Sequence, residues 1–295
     1  MSTNAPQQSV LFPTILIHGV GLLGGSVARA ARKSGACNRV IGVGRKQDKL
    51  DQAQALGIID VGYTELADLK QESIDLVVIC TPVDRIAWDV DDLAEHLTKP
   101  AIITDVGSTK QNVLDMLSTE LPPHLIFVGS HPLAGSEKQG FENSLADLFE
   151  DRVTVVTPSE STPEPAIQLV EQFWTRLGSR VARMTPHDHD EAVARTSHLP
   201  HLAASALALC VGEKLHHLTG SGFRDTTRIA AGDPGIWTAI LQENRKAVVS
   251  SIDEFTSALT IIRDLIASAD RENIEQFLTQ AQHSRNKLNE TRQPE

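Results

Sequence analysis

Thr14-Ile15-Leu16-Ile17-His18-Gly19-Val20-Gly21-Leu22-Leu23-Gly24 is the stretch on which the fold turns. Thr14 to Ile17 is a continuous apolar run, the pattern of a strand buried on both faces. Gly19 permits a tight turn, Gly21 lets backbone approach a pyrophosphate, and Gly24 allows close helix–sheet packing. A helical pattern from Gly25 to Ser34, stopped by Gly35, comes next. The N–H groups at the start of that helix, Leu22 and Leu23 among them, and its dipole would hold the phosphates. A second apolar run, Arg39 to Val43, follows. Strand, loop, helix and strand in that order distinguish a dinucleotide site from an ordinary glycine-rich turn.

Working outward, further strands are expected at Asp75–Ile79, Ala101–Thr104, Leu125–Val128, Val153–Val156 and Arg180–Met184. A helix is expected from Ile86 to Leu97, and another after Thr162 as N-cap and Pro163 as first residue, ending at Gly178. Continuous apolar strands alternating with helices predict a parallel, doubly wound sheet, a Rossmann-type α/β domain over residues 1–185. Past Thr185-Pro186 the strand signals stop. His189–Thr196, Leu202–Leu215, Trp237–Ala269 and Arg271–Asn289 carry helical spacing, so residues 186–295 are expected to form an all-helical domain. A helix as long as Trp237–Ala269, with Leu241, Val248, Ile252, Phe255, Leu259, Ile262 and Leu265 on its apolar stripe, calls for a partner subunit to cover it.

Composition narrows the function. The apolar share is 41% and the net charge is −11. An acidic chain is repelled by the phosphates of nucleic acid and of anionic membranes, so neither is an expected partner. No apolar run approaches the ~18 residues of a membrane span, and Met1–Ser9 lacks the pattern of a secretory signal. Cys37, Cys80 and Cys210 show no paired spacing, which suits a reducing cytoplasm. His187, His189, His198, His201, His216 and His217 raise the question of zinc, yet no cysteine or paired-histidine pattern completes a shell and none is expected. Cofactor choice sits at the end of the second strand, where Gly44-Arg45-Lys46 replaces the acidic residue that accepts from a ribose 2′-hydroxyl. Arg45 and Lys46 can pair with a 2′-phosphate, so NADP is expected, with NAD possible. The plainer alternative is a solvated helix start. Cys80-Thr81-Pro82, ending the third strand, is expected to pass the cofactor's ribose.

Four more motifs follow the glycine loop: Asp105-Val106-Gly107-Ser108-Thr109-Lys110, Gly129-Ser130-His131-Pro132-Leu133-Ala134-Gly135-Ser136-Glu137-Lys138, Ser197-His198-Leu199-Pro200-His201, and Gly222-Phe223-Arg224-Asp225-Thr226-Thr227-Arg228. With that loop, in this order, they resemble the prephenate/arogenate dehydrogenase family of tyrosine biosynthesis. The resemblance runs from about Thr14 to Leu278. It implies oxidative decarboxylation of prephenate to 4-hydroxyphenylpyruvate, or of arogenate to tyrosine, and a homodimer joined through the helical domain. It also implies that a regulatory domain carried by some members is missing, so that tyrosine feedback would act elsewhere.

The resemblance makes His131 the catalytic histidine, beside the C4 hydroxyl whose proton must leave as hydride departs. Ser108 would orient both His131 and that hydroxyl, next to the cofactor. Arg228 would grip a substrate carboxylate, since a planar guanidinium suits bidentate recognition, and His201 would close over the ring. Ser136, Glu137, Arg224 and Asp225 are placed near the substrate. An acid there either fixes Arg224 or Arg228 or meets the ammonium group of arogenate. Trp237 either walls the pocket or simply packs. For each histidine and arginine the competing role is structural, as a strand cap, a satisfied helix histidine or a surface ion pair. Two rival functions stand beside this one: another dehydrogenase built from a Rossmann and a helical domain, and a nucleotide sensor without chemistry.

Overall fold

The computed structural model describes residues 9–117, 121–135 and 138–290. They form two compact units, Met1–Arg245 and Lys246–Glu295. The first is built on an eight-stranded sheet: β1 (Thr14–His18), β2 (Arg39–Val43), β3 (Val61–Tyr63), β4 (Leu76–Ile79), β5 (Ala101–Asp105), β6 (Leu125–Pro132), β7 (Val153–Thr157) and β8 (Arg180–Arg183), in the order β3-β2-β1-β4-β5-β6-β7-β8. β1 to β6 are mutually parallel, with the order reversing at β1 and β4. The expectation of a wholly parallel sheet is corrected at β7. It runs antiparallel to β6, with His131 opposite Val155, and β8 then runs parallel to β7. Among the described residues of 133–152 there is no crossover helix, only a short 3-10 turn at Phe141–Asn143, and the chain returns beside β6 in the reverse sense.

Helices cover both faces. On one, α1 (Leu22–Lys33) and α5 (Glu164–Arg176) bury Val27, Ala31, Val170, Phe173 and Trp174 against Ile15, Ile17, Val78 and Val128. On the other, α3 (Ile86–Ala94) and α4 (Gln111–Met116) lay Ile86, Val90, Leu93 and Val113 on Leu16, Val77, Ile79 and Ile103. Burial of each such aliphatic side chain stabilises the fold by about 1.5–3 kcal/mol. α2 (Gln47–Ala55) fills the gap between β2 and β3, where Leu50 and Ala53 are buried. α1 begins at Leu22, earlier than the sequence pattern suggested, so Gly24 lies inside it. α5 is capped by Pro163 rather than Thr162, whose hydroxyl instead accepts from the Ser159 N–H at 3.0 Å.

After β8 the first unit continues with α6 (Pro186–Val193), a π-helical turn at Ala194–His198, α7 (Leu199–Cys210), α8 (Ser221–Thr227) and α9 (Pro234–Glu243). Pro200 sits in the first turn of α7, where a missing N–H is tolerated. The single helix expected over Trp237–Ala269 is broken at Asn244, which leaves helical geometry at φ −106° and ψ 30°. Its side chain is drawn to the Asp190 carbonyl at 2.7 Å, a pull from outside the helix that periodicity does not register. The second unit holds α10 (Arg245–Ala267) and α11 (Arg271–Glu290), separated by a turn in which Asp270 accepts from the Asn273 N–H. Among the described residues no helix is long and apolar enough to cross a membrane.

Candidate active site

The carboxyl ends of β1, β4, β5 and β6 lie side by side because those strands are parallel neighbours. This edge, where the strand order reverses, is where open α/β sheets take their ligands. A cleft of about 540 Å³ opens there, walled by Gly19, Gly21, Arg45, Thr81, Pro82 and Arg85 among others. Gly19 has φ +97°, and a Cβ on it would lie 2.9 Å from the Cys80 carbonyl carbon. A Cβ on Gly24 would collide with the Gly19 carbonyl oxygen, while one on Gly21 would meet no atom within 4 Å. The turn is therefore closed where it must pack and open where a pyrophosphate needs room. α1 has no side-chain cap and no acidic residue in its first turn, so its leading N–H groups, at Leu22 and Leu23, face no competing anion. The residues fit a dinucleotide.

On the cleft's rim Arg45 is exposed. Lys46 caps α2 and is not part of the wall. Thr81 donates its hydroxyl to Asp89 at 2.5 Å, and Arg85 donates to the same carboxylate at 3.3 Å, which stiffens the loop after β4.

Ser108 is half-buried on the loop after β5, and His131 stands near the end of neighbouring β6. The Nδ1 of His131 does not meet Ser108. It lies 2.9 Å from Nε2 of His189, with the two rings edge to face. His189 Nδ1 in turn lies 2.7 Å from Asp190 Oδ1. Asp190 also accepts from the backbone N–H groups of Lys110 at 2.8 Å and Gln111 at 2.9 Å, pinning α6 to the start of α4. Beneath them Lys110 Nζ is paired with Asp105, both fully enclosed, and donates to the Ser130 carbonyl at 3.0 Å. Asp105 further accepts from the N–H groups of Ser130 and Gly107. Burial holds the His131 imidazole well below its usual pKa, helped by His189, Lys110 and His198. It is thus neutral at pH 7.

Farther along, His198 is buried, its pKa pushed down to about 4 by desolvation. Asn244 lies 3.3 Å from its Nδ1, and its ring stands edge-on to Trp237. His201 stacks flat on Trp237 at 3.5 Å between centroids and is tied to the Ile229 backbone. Trp237 thus braces His201, and His201 contacts the turn that carries Arg228. Arg228 itself is exposed and makes no side-chain hydrogen bond or ion pair among the described residues. Arg224 is exposed and donates to the Thr219 carbonyl at 3.2 Å, and Asp225 is exposed beside it. Ser136 and Glu137 lie outside the described residues. No group of three or more metal-ligating side chains is assembled among the described residues.

Sequence reasoning weighed His189 only as a zinc ligand and missed Asp190 and Asn244. An adjacent His-Asp pair on the helix just after β8, with Thr185 capping that helix by accepting from Asp188 N–H, was the available signal.

A dinucleotide cleft and a neutral, buried-side imidazole on one edge of a Rossmann sheet define a nicotinamide-type oxidoreductase. Two family models match the chain: prephenate dehydrogenase, nucleotide-binding domain, over residues 27–183, and prephenate dehydrogenase, dimerization domain, over residues 185–280. The chain belongs to the prephenate dehydrogenase family. It is 36% identical to a cyclohexadienyl dehydrogenase of Zymomonas mobilis, over 93% of this chain and 96% of that one. It also resembles the crystal structure of prephenate dehydrogenase from A. aeolicus in complex with hydroxyphenyl propionate and NAD+, with 34% identity and a TM-score of 0.86 over 96% of this chain and 99% of that one. The Synechocystis arogenate dehydrogenase structure matches at 31% identity and a TM-score of 0.80, over 93% and 99%.

Proposed function

We propose that the protein oxidises and decarboxylates prephenate to 4-hydroxyphenylpyruvate, with arogenate as the alternative substrate. The observation that carries this reading is the neutral His131 imidazole at the end of β6, on the same sheet edge as the glycine turn. The bound nicotinamide supplies a hydride acceptor. As the C4–H bond gives up its hydride, the C4 O–H bond breaks, its electrons form C=O, and the proton passes to His131 Nε2. Loss of CO2 returns an electron pair to the ring, and His131 hands the proton back to what is now a phenolic oxygen. Atoms and charge balance with no other reactant. Ser108, one strand over, is placed to hold the hydroxyl, and Arg228 holds a carboxylate.

Grip on a carboxylate is felt by substrate and transition state alike, so it lowers KM more than it raises kcat. Arg228→Ala is expected to raise KM about 10- to 100-fold, the ~1.5–3 kcal/mol of a hydrogen bond to a charged group, with a smaller change in kcat. The reverse pattern in steady-state kinetics would remove Arg228 from the binding role.

Arg45 in the cleft wall, with no carboxylate at the end of β2, supports NADP as the preferred cofactor. Prephenate and arogenate, each with NADP and NAD, form four pairs for one steady-state comparison. At least one pair is expected to turn over, and Arg45→Asp is expected to move the preference toward NAD. Turnover of none would sink the enzyme reading, and an unmoved preference would free Arg45 from the phosphate.

The domain division near Thr185-Pro186 belongs to this proposal, supported by the place where the two family models meet. So does a homodimer through the helical domain. Phe255, Leu259, Ile266 and Leu278 of α10 and α11 are between 38% and 62% exposed in the single chain, the kind of apolar surface a second copy covers. Sedimentation is expected to give twice the mass of one chain; a single-chain mass at micromolar concentration would refuse it. Three free cysteines support a reducing, cytoplasmic setting.

A further inference from the structure

We propose that His189 and Asp190 are positioning residues for His131: the three form a relay that keeps the proton of the neutral ring on Nδ1 and its lone pair on Nε2. This rests on the reading that His131 takes the substrate's proton. It adds the device that makes the ring fit to do so.

With His189 as a neutral ring, the assignment follows from donors and acceptors. An ionised carboxylate can only accept. Asp190 Oδ1 lies 2.7 Å from His189 Nδ1, so the hydrogen between them belongs to His189. A neutral imidazole carries one N–H, which leaves Nε2 of His189 as a lone pair. His131 Nδ1 lies 2.9 Å from that lone pair, so the hydrogen of this second contact belongs to His131. His131 Nε2 is then the acceptor, the form that can receive a proton from a hydroxyl. A doubly protonated His189 would donate to His131 Nδ1 and leave the His131 proton on Nε2, a form the tautomer measurement tells apart. Between neutral rings the opposite assignment sets a His189 lone pair against a carboxylate oxygen, two acceptors facing each other with no hydrogen between them. That is costly in a buried site.

The relay is anchored at its far end. The Asp190 carboxylate takes the Lys110 and Gln111 N–H groups, and its own carbonyl accepts from Asn244 at 2.7 Å. His189 is 1% exposed and Asp190 4%. The other titratable groups around the relay are accounted for. Lys110 is held by Asp105 and the Ser130 carbonyl, His198 is hydrogen-bonded by Asn244, and His201 is stacked on Trp237. When Nε2 gains the substrate's proton, His131 still donates through Nδ1, and the Asp190 charge sits two hydrogen bonds away where little water screens it.

The direct test is the tautomer. Long-range proton–nitrogen NMR of the free enzyme near neutral pH is expected to show His131 protonated on Nδ1. In Asp190→Asn the new amide can donate to His189 Nδ1, reversing the relay and moving the His131 proton to Nε2. For that variant kcat is expected to fall on the order of a hundredfold, within the range that misplacing a base's proton produces, with KM held within about twofold. His189→Leu, which offers no acceptor, is expected to lose kcat similarly, and His189→Gln, whose carbonyl can accept from Nδ1, to regain most of it. Should Asp190→Asn fold poorly because it loosens α6 from α4, the unmodified enzyme's tautomer and the His189 pair still decide. A His131 protonated on Nε2 in the unmodified enzyme overturns the relay. So does a His189→Leu enzyme with unchanged kcat and tautomer while His131→Asn is inactive. Full turnover by His131→Asn would instead overturn the underlying reading of His131, and the NMR result would judge the relay separately.

Discussion

Replacing His131 with asparagine is expected to slow turnover by about 10²–10⁴-fold while leaving KM close to its original value, the range a positioned proton acceptor contributes. Asparagine keeps a polar side chain at the end of β6 but has no basic nitrogen. In the proposed mechanism prephenate and cofactor are held elsewhere, by Arg228 and by the glycine turn, so binding is expected to survive. The pH profile gives a second check. Burial, with His189, Lys110 and His198 nearby, depresses the His131 pKa. The working form is the neutral ring, so kcat/KM rises with pH through that depressed value and is level above it. The acid limb of the profile therefore lies below the ordinary histidine value of about 6.5 and is absent from His131→Asn. Turnover that survives the substitution, or an acid limb at or above that ordinary value, would show that another group takes the proton.

How much of this was legible in the sequence depends on how far each cause reaches along the chain. The glycine turn is local: Gly19, Gly21 and Gly24 state their reasons within six positions, and the strand and helix beside them are continuous patterns. The apolar strands β1, β2, β4 and β5 were equally plain, because a strand buried on both faces has no polar alternation to blur it. β3 escaped notice. It has only three residues, half-buried, with Gly62 at its centre. The reversal at β7 left no local trace either, since a strand's direction is set by the path of residues 133–152 and not by its own composition. Asn244 shows the same limit in a helix. The apolar stripe from Leu241 to Val248 passes straight through it, and the break comes from a carbonyl on α6. His189 read as one of several histidines in a polar segment. Its meaning lies in His131, which reaches it only when β6 and α6 come together. Motif residues were thus found by pattern, and the groups that aim them were not.

The second large effect is on stability. Asp105→Ala is expected to lower the unfolding free energy by about 3–5 kcal/mol, the usual cost of stranding one member of a buried ion pair. Asp105 and Lys110 are 0% and 3% exposed, and the Asp105 carboxylate also satisfies the Ser130 and Gly107 N–H groups. Without it Lys110 keeps only the Ser130 carbonyl among these partners. The pH dependence follows by sign. Burial lowers the Lys110 pKa and Asp105 raises it back, so removing Asp105 lowers it further. The variant's native state then releases its proton at a lower pH than the parent's does, while both unfolded chains still hold theirs. Between those two native values the variant gains stability with rising pH and the parent does not, so the deficit narrows as the solution becomes more alkaline. Urea unfolding across pH measures this, and Asp105→Asn, which keeps shape and one acceptor, should lose less. Because Ser130 precedes His131, the alanine variant should also lose kcat beyond what its folded fraction accounts for. A deficit under about 1 kcal/mol would mean that Lys110 sheds its proton and sits comfortably neutral, and the pair would then be no anchor for the strand end that presents the imidazole.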